Sequence, residues 1–198
     1  MWIVTKIADL VQLKPQDFYK TSLEAIEDKI NEKYANKVIP NIGLCVCVWD
    51  ITDASEGLIG QYDGFVNINV EFHMVVFRPH RGEVIQARIK EQTSQGMRLC
   101  TPFFNEIWIP STELPEETEF VEAEKVWLWK SDEETQLYYD THEIVRFMVL
   151  EERWYTQPPT KPKESTDSDA PTKTTYQAPY SIIGTMAAPG LGITLWWE

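Results

Sequence analysis

The stretch that decides the fold runs from Gly64 to Lys90 and reads GFVNINVEFHMVVFRPHRGEVIQARIK. Between Val66 and Val76 every second side chain is apolar, and the side chains between them are mostly polar. This period of two predicts a strand with one buried face. At Val75-Val76-Phe77 both sides become apolar, so we expect this end of the strand to be covered on both faces.

A short polar segment, Arg78-Pro79-His80-Arg81-Gly82, interrupts this strand before a second alternating run begins at Ile85. Proline lacks the N–H that a sheet ladder needs, and glycine permits a sharp bend. The sequence therefore predicts one long strand that closes an N-terminal module, a stiff hinge, and the first strand of a second module.

The residues before this stretch predict a β-α-β-β module of about 80 residues. Residues 2–12 are typical of a strand, and Pro15 suits the first turn of a short helix. Thr21 and Glu24 have the spacing of a capping box, and apolar residues then follow at helical spacing, which predicts a helix over 22–35. A buried strand is expected over 44–51 and a loop over 52–63.

The second module is predicted to consist of short strands over 83–91, 96–101, 105–109, 125–130, 143–154 and 181–186. Five or six short strands with a glycine between the first two are typical of a small closed barrel such as an OB fold. The predicted fold class is α+β, with an N-terminal β-α-β-β tip domain over 1–80 and a C-terminal OB-fold β-barrel over 81–198.

A polar insert interrupts the second module over residues 156–178. From 156 to 175 the chain contains no aliphatic residue larger than alanine and no aromatic residue, and Pro, Ser, Thr, Lys and Asp dominate. Such a segment buries too little apolar surface to offset its ordering entropy, so we expect disorder there. The return of an apolar strand after the insert indicates that the C-terminal residues complete the barrel.

The composition restricts the function. The 198 residues carry a formal net charge of −13, and acidic residues outnumber basic ones in both halves. Because DNA affinity depends on clustered Lys and Arg, tight independent binding to duplex DNA is not expected. Three cysteines and no secretory signal favour a reducing compartment, and no apolar run is long enough to span a membrane.

The sequence contains no recognisable catalytic motif, and no cofactor or metal is predicted. The three histidines lie in separate predicted elements, and neighbouring acidic residues are typical of solvated turns. Cys45 and Cys47 are two residues apart in a predicted strand, so they should share one face as buried structural thiols rather than bind a metal.

A nucleic-acid site on the barrel is the alternative that the residues leave open. Binding of a single strand by an OB fold needs aromatic platforms and a few cations on one sheet face. The candidates on the first three barrel strands are Arg88, Lys90, Arg98 and Trp108. Either Trp108 fills the barrel and the cations only aid solubility, or the four residues form a shallow surface for single-stranded RNA that is delivered to it.

Several motifs together resemble the stalk subunit of eukaryotic RNA polymerase III. They are WIVTKIADLVQL at the start, VIPNIGLCVCVWDI, the hinge VVFRPHRGEV, DEETQLYYD, and GLGITLWWE at the end. That subunit is a paralogue of the larger stalk subunits of RNA polymerase II and of the archaeal enzyme. The resemblance covers both modules and leaves out only the insert over 156–178.

The resemblance implies a non-catalytic nuclear subunit that supports transcription initiation of small RNA genes and lies near the exit path of the transcript. It implies a heterodimer with a smaller helical stalk subunit, and contacts with polymerase III core subunits and initiation factors. The hinge Phe77-Arg78-Pro79 would face the stalk partner. The residues implied to dock on the polymerase body are Pro40, Asn41, Ile42, Gly43, Asp63 and Gly64.

One departure from RNA-binding barrels concerns the turn between the first two barrel strands. Aromatic residues usually flank its glycine, whereas here Gln95 and Met97 flank Gly96. Strong RNA binding by the chain alone is therefore not expected, although a free OB-fold factor that binds single-stranded RNA remains the alternative function. We also expect the chain on its own to expose an apolar strip near Val75 to Phe77.

Overall fold

The structure is a computed structural model that describes residues 1–61, 64–130, 136–156 and 177–197. The chain divides into two compact units, Met1–Pro79 and His80–Glu198. The first combines one helix with a sheet, and the second contains a closed barrel. The predicted α+β fold class is confirmed, while the docking role of the first unit stays a prediction.

The first unit is built on a sheet of order β1-β5-β3-β2, with β4 paired to β5. Its elements are β1 (Trp2–Leu13), α1 (Ser22–Tyr34), β2 (Val38–Ile39), β3 (Gly43–Ala54), β4 (Leu58–Ile59) and β5 (Val66–Phe77). The long alternating strand of the sequence is therefore the central strand β5. Its apolar side faces the core, where Val70, Phe72 and Met74 are at most 1% exposed.

Helix α1 covers one face of this sheet, as its sequence predicts. Thr21 and Glu24 form the capping box, in which each side chain bonds the other residue's backbone N–H. The buried side of the helix presents Ala25, Ile26 and Ile30 to the core. The helix begins at the predicted residue, Ser22, and ends at Tyr34, one residue earlier than predicted.

The loop predicted over 52–63 is partly wrong. Strand β3 continues to Ala54, and Leu58–Ile59 adds β4 to the sheet by pairing with Asn67 and Val66. The turn-forming residues Thr52, Asp53 and Ser55 misled the prediction because β5 offers backbone partners there. The Ser55 N–H, for example, donates to the Asn69 carbonyl at 2.8 Å.

The barrel of the second unit consists of five strands joined edge to edge. The unit's elements are β6 (Val84–Thr93), β7 (Gly96–Cys100), β8 (Ile107–Pro110), β9 (Thr118–Val121), β10 (Val126–Lys130), β11 (Gln136–Tyr138), β12 (Ile144–Trp154), β13 (Tyr180–Thr185) and β14 (Gly192–Ile193). Strands β6, β7 and β8 follow in order, β13 pairs with β8, and β12 pairs with both β13 and β6. Closure of the barrel by the C-terminal strand β13 is confirmed.

The assignment of residues 125–130 to the barrel is wrong. Strand β10 belongs to a separate three-stranded sheet of order β11-β10-β9. Hydrogen bonds attach this sheet to the barrel: the Trp127 N–H donates to Gln92 Oε1 at 3.0 Å, and the Trp127 indole donates to the Thr93 carbonyl at 3.1 Å. An apolar strand beside a barrel and one inside it have the same sequence signature, so the pattern could not separate them.

The strands on either side of the insert meet directly. Trp154 at the end of β12 pairs with Tyr180 at the start of β13, and the Tyr155 N–H donates to the Pro179 carbonyl at 3.0 Å. Most of the segment predicted to be disordered over 156–178, namely residues 157–176, lies outside the described residues. Among the residues that are described, no helix is long and apolar enough to cross a bilayer.

A polar cluster fastens α1 to β1. The Asp9 carboxylate forms an ion pair with Lys33 and accepts a hydrogen bond of 2.6 Å from the Tyr34 hydroxyl. Burial alone would raise the pKa of Asp9, but the hydrogen bonds from Lys33 and Tyr34 outweigh it and lower that pKa. Burial, followed by the bond to Asp9, raises the pKa of Tyr34 to about 12.

Truncation after residue 157 should open the barrel, because it removes β13 and leaves unpaired edges on β12 and β8. We expect the fragment 1–157 to aggregate and to lose cooperative thermal unfolding. The matched control replaces residues 157–176 with a short Gly-Ser linker and keeps β13, and it should stay soluble. A soluble 1–157 fragment with a cooperative melt would contradict the closure by β13.

The substitution Asp9→Asn should destabilise the fold in a pH-dependent way. Because the folded-state pKa of Asp9 is lowered, its stabilisation is present above the unfolded pKa of about 3.9 and is lost as the pH falls through the folded-state pKa. We expect a cost of about 1–2 kcal/mol in urea unfolding at pH 7, shrinking below pH 4. Asp28→Asn, on a side chain that is 61% exposed, is the control and should cost less. A pH-independent cost for Asp9→Asn would argue against the cluster.

Candidate interaction surfaces

The turn implied to dock on the polymerase joins β2 to β3. The Ile42 N–H donates to the Ile39 carbonyl at 3.1 Å, and Asn41 has a positive φ of 62°. At Gly43, φ is 140°, and a Cβ would lie 2.5 Å from Val76 Cγ1 and 2.7 Å from the Phe77 carbonyl oxygen. Glycine is therefore required where this turn packs against the end of β5.

The structure brings this turn together with the hinge. Arg78 Nη1 donates to the Asn41 carbonyl at 2.8 Å, and the Arg78 N–H donates to the Met1 carbonyl at 2.9 Å. The predicted docking residues Pro40 to Gly43 and the predicted partner residue Arg78 thus belong to one end of the sheet. A partner that bound this end of the sheet would therefore contact both the turn and Arg78.

The other predicted docking residues are not brought to this end. Gly64 precedes the opposite end of β5, where its Cβ position lies 3.6 Å from Pro15 Cγ. Eleven strand steps separate Val66 from Phe77, which is roughly 36 Å at about 3.3 Å per residue. Asp63 lies outside the described residues. A polymerase surface that contacted both Gly64 and the turn Pro40 to Gly43 would have to span the whole length of the sheet.

The expectation of an exposed apolar strip near Val75 to Phe77 is wrong for Val76 and Phe77. Val76 and Phe77 are fully buried within the chain, and Val75 is half-buried. Strands β1 and β3 flank this end of β5, and the Trp2 ring packs edge-on against Phe77 with centroids 5.4 Å apart. Pro79 is also buried, so Arg78, which is half-buried, is the most exposed side chain of the predicted hinge site.

A larger surface that the sequence analysis missed is the face of the first sheet opposite α1, which we call the open face. Residues that pair directly across antiparallel strands point to the same side, and one such row joins Val4, Val75 and Cys47. The open face consists of Val4, Lys6, Ala8 and Leu10 on β1, Glu71, His73 and Val75 on β5, and Cys47, Asp50 and Asp53 on β3. The sequence of β1 already carried this signal, since apolar residues occur on both of its sides.

The open face is apolar at one end and ionic in the middle. Val4 is 56% exposed at the apolar end, and Cys47 in the same row is also exposed. In the middle, Lys6 pairs with Glu71 at 2.6 Å, and His73 Nδ1 lies 2.6 Å from Asp50 Oδ1. Apolar and charged groups therefore lie side by side on the open face.

The prediction that Cys45 and Cys47 share a buried face is wrong. Cys45 is buried and Cys47 is exposed. A bulge between them shifts the register, so that Cys45 pairs with Val76 and Cys47 with Val75. An extra residue in one strand moves the next side chain to the other face, and sequence spacing alone does not reveal this. Burial raises the pKa of the Cys45 thiol.

All four predicted RNA-contact residues lie on the outer face of the barrel. Arg88, Lys90 and Arg98 are exposed, and Trp108 is half-buried between the buried Ile107 and Ile109. Trp108 pairs directly with Arg98, and its ring lies over Gly96, 2.9 Å from where a Cβ would stand. The alternative that Trp108 fills the barrel is therefore wrong. The RNA role of these residues stays a prediction.

The neighbourhood of these cations is mixed in charge. Glu91 pairs with Arg98 across the strands, because a bulge follows Ile89. Arg88 pairs with Cys100 beside a cleft of about 480 Å³ whose lining includes Pro102 and Ile144. Three cations with an acidic neighbour provide only a few phosphate contacts. Within the described ranges no group of three or more metal-ligating side chains occurs.

Both parts of the chain match known families. Residues 83–197 match the family described as "RNA polymerase III subunit Rpc25". Residues 8–64 match the one described as "SHS2 domain found in N terminus of Rpb7p/Rpc25p/MJ0397". The two matches fall on the barrel unit and on the first unit respectively.

Relatives match over the full length. DNA-directed RNA polymerase III subunit rpc8 of Schizosaccharomyces pombe is 36% identical over 203 residues, which is 100% of both chains. The subunit RPC8 of Bos taurus is 35% identical over 204 residues, covering 100% of this chain and 98% of that one.

The chain belongs to the Rpc25 family of RNA polymerase III subunits. The family inferred from the sequence motifs is confirmed, and a free RNA-binding factor is not favoured. A paralogue is also similar: RNA polymerase II subunit RPB7 of Glycine max is 26% identical over 145 residues, 71% of this chain and 78% of that one.

Proposed function

We propose that this Rpc25-family chain is the non-catalytic stalk subunit of nuclear RNA polymerase III. The observation that carries the proposal is the full-length similarity to relatives that are named as polymerase III subunits. In this proposal the chain supports transcription initiation of small RNA genes through contacts with core subunits and initiation factors. Polymerisation itself takes place in other subunits.

The open face is the surface that we assign to the smaller stalk subunit. Its apolar end offers Val4 and Cys47 to a partner side chain, and the ion pairs Lys6–Glu71 and His73–Asp50 lie next to it. At the end of the sheet where Arg78 holds Asn41, we assign the turn Pro40 to Gly43 to the polymerase body and the hinge residue Arg78 to the stalk partner. The central strand β5 thus contributes to both contacts.

The outer face of the barrel supports a weak contact with the emerging transcript. Arg98 lies directly across from Trp108, and Arg88 and Lys90 are exposed on the next strand β6, which suits a short run of single-stranded RNA. The net charge of −13 disfavours capture of RNA from solution. The surface would act on RNA that the polymerase delivers to it.

The substitution Val4→Glu should weaken assembly by placing a charge in the apolar end of the open face. The tagged chain is expressed in the source cell, and polymerase III subunits are measured after a high-salt purification. We expect at least a tenfold loss of co-purified subunits. Leu23→Glu is the matched control, because Leu23 lies on α1 and is also 56% exposed. Normal assembly of the folded Val4→Glu chain would contradict the assignment of the open face.

Binding of oligouridine by the isolated chain should be weak and should depend only slightly on salt. With three cations, log K against log salt should have a slope no steeper than about −2, at about 0.7 per phosphate on a single strand. Fluorescence anisotropy over a range of salt concentrations measures this slope. A slope near −5 with tight binding would favour the free RNA-binding factor.

A further inference from the structure

An aromatic groove lies within the second unit, between the three-stranded sheet and the C-terminal residues. Its volume is about 430 Å³. Trp129 on β10 and Trp197 in the 3₁₀ turn Thr194–Trp197 form its walls. The rest of the lining is apolar apart from one carboxylate, and includes Met186, Leu191, Pro189 and Glu116.

A hydrogen bond and ring packing hold the two indoles of the groove in place. The Trp197 indole donates to the Leu191 carbonyl at 2.9 Å, which fixes its ring while 44% of the residue stays exposed. Trp129 packs on Trp196 with ring centroids 5.4 Å apart, and Trp196 in turn packs on the buried Tyr139 at 4.6 Å. The Trp129 and Trp197 centroids are 6.5 Å apart and their planes differ by 33°. Two indole faces are thus preorganised beside one another.

The charge around this groove is negative. Residues 111–124 contain six glutamates and no Lys or Arg, and they include the lining residue Glu116. Glu119 forms an ion pair with Lys130 at 2.7 Å. For the other five glutamates, no ion pair occurs with any residue that the structure describes. The partly exposed pair of indoles therefore lies beside the Glu116 carboxylate, which no cation of the described chain neutralises.

We propose that this aromatic groove binds an arginine-containing basic peptide segment of a partner protein. A guanidinium stacks well on indole faces and forms two parallel hydrogen bonds to a carboxylate, and both groups are present here. A volume of about 430 Å³ fits a few side chains of a linear segment rather than a folded surface. The glutamates repel phosphates, which argues against RNA. The inference does not depend on the proposed function.

The probe is a capped nine-residue peptide in which two arginines alternate with alanine and proline, titrated into the full-length chain. Calorimetry at about 0.15 M salt should show saturable binding at one site. Replacing both arginines with glutamine should abolish the signal, and replacing them with lysine should weaken binding at least threefold, because lysine lacks the planar fork. Absence of saturable binding by the arginine peptide would overturn the proposal.

Two substitutions locate the site. Trp197→Ala and Glu116→Lys, both on exposed side chains, should each weaken binding at least tenfold. The matched controls lie in the first unit: Trp49→Ala removes an exposed indole, and Glu56→Lys makes the same change in net charge. Both controls should bind the peptide within twofold of the unmodified chain. Equal losses for Glu116→Lys and Glu56→Lys would show unspecific charge attraction and would overturn the proposal. The proposal would also be overturned if oligouridine bound the chain more tightly than the peptide and this binding were lost in Trp197→Ala.

Discussion

The pairing of β5 along both of its edges is the constraint on which the first unit depends. Its neighbour β1 pairs with it at every position from Trp2–Phe77 to Leu13–Val66, and β3 pairs with it from Leu44 to Ala54. A slip of one residue would exchange the core side of β5 with its polar side. The pairing therefore decides at once which side chains pack under α1 and which remain on the open face.

The surfaces available for assembly follow from how each unit closes its own core. In the first unit, Trp2 covers Phe77 and Arg78 ties the β2–β3 turn to the end of β5. In the second, β13 closes the barrel, so its outer face and the attached three-stranded sheet are the parts that stay accessible. The described residues of this Rpc25-family chain fill both cores by themselves. A partner would therefore bind the outer surfaces of the two units.

Sequence periodicity predicted the elements with a long regular pattern: β5 and the barrel strands from their alternation, and α1 from its helical spacing. The predictions were wrong where contacts between distant strands determine the local structure. The bulge after Cys45 turns Cys47 outward, and backbone pairing with β5 extends β3 through Thr52 and Asp53. The open face and the aromatic groove combine residues that are distant in sequence, such as Val4 with Cys47 and Trp129 with Trp197. No local pattern contains that information.

The most direct measurement of the central claim is the alkylation rate of Cys47 by iodoacetamide, read by mass spectrometry in the isolated chain and in purified polymerase III. Cys47 is exposed on the open face, and the buried Cys45 two residues away is an internal reference. If a stalk partner covers the open face, Cys47 reacts readily in the isolated chain and at least tenfold more slowly in the polymerase, while Cys45 stays unreactive in both. Equal rates for Cys47 in the two states would contradict the claim that the open face is an assembly surface.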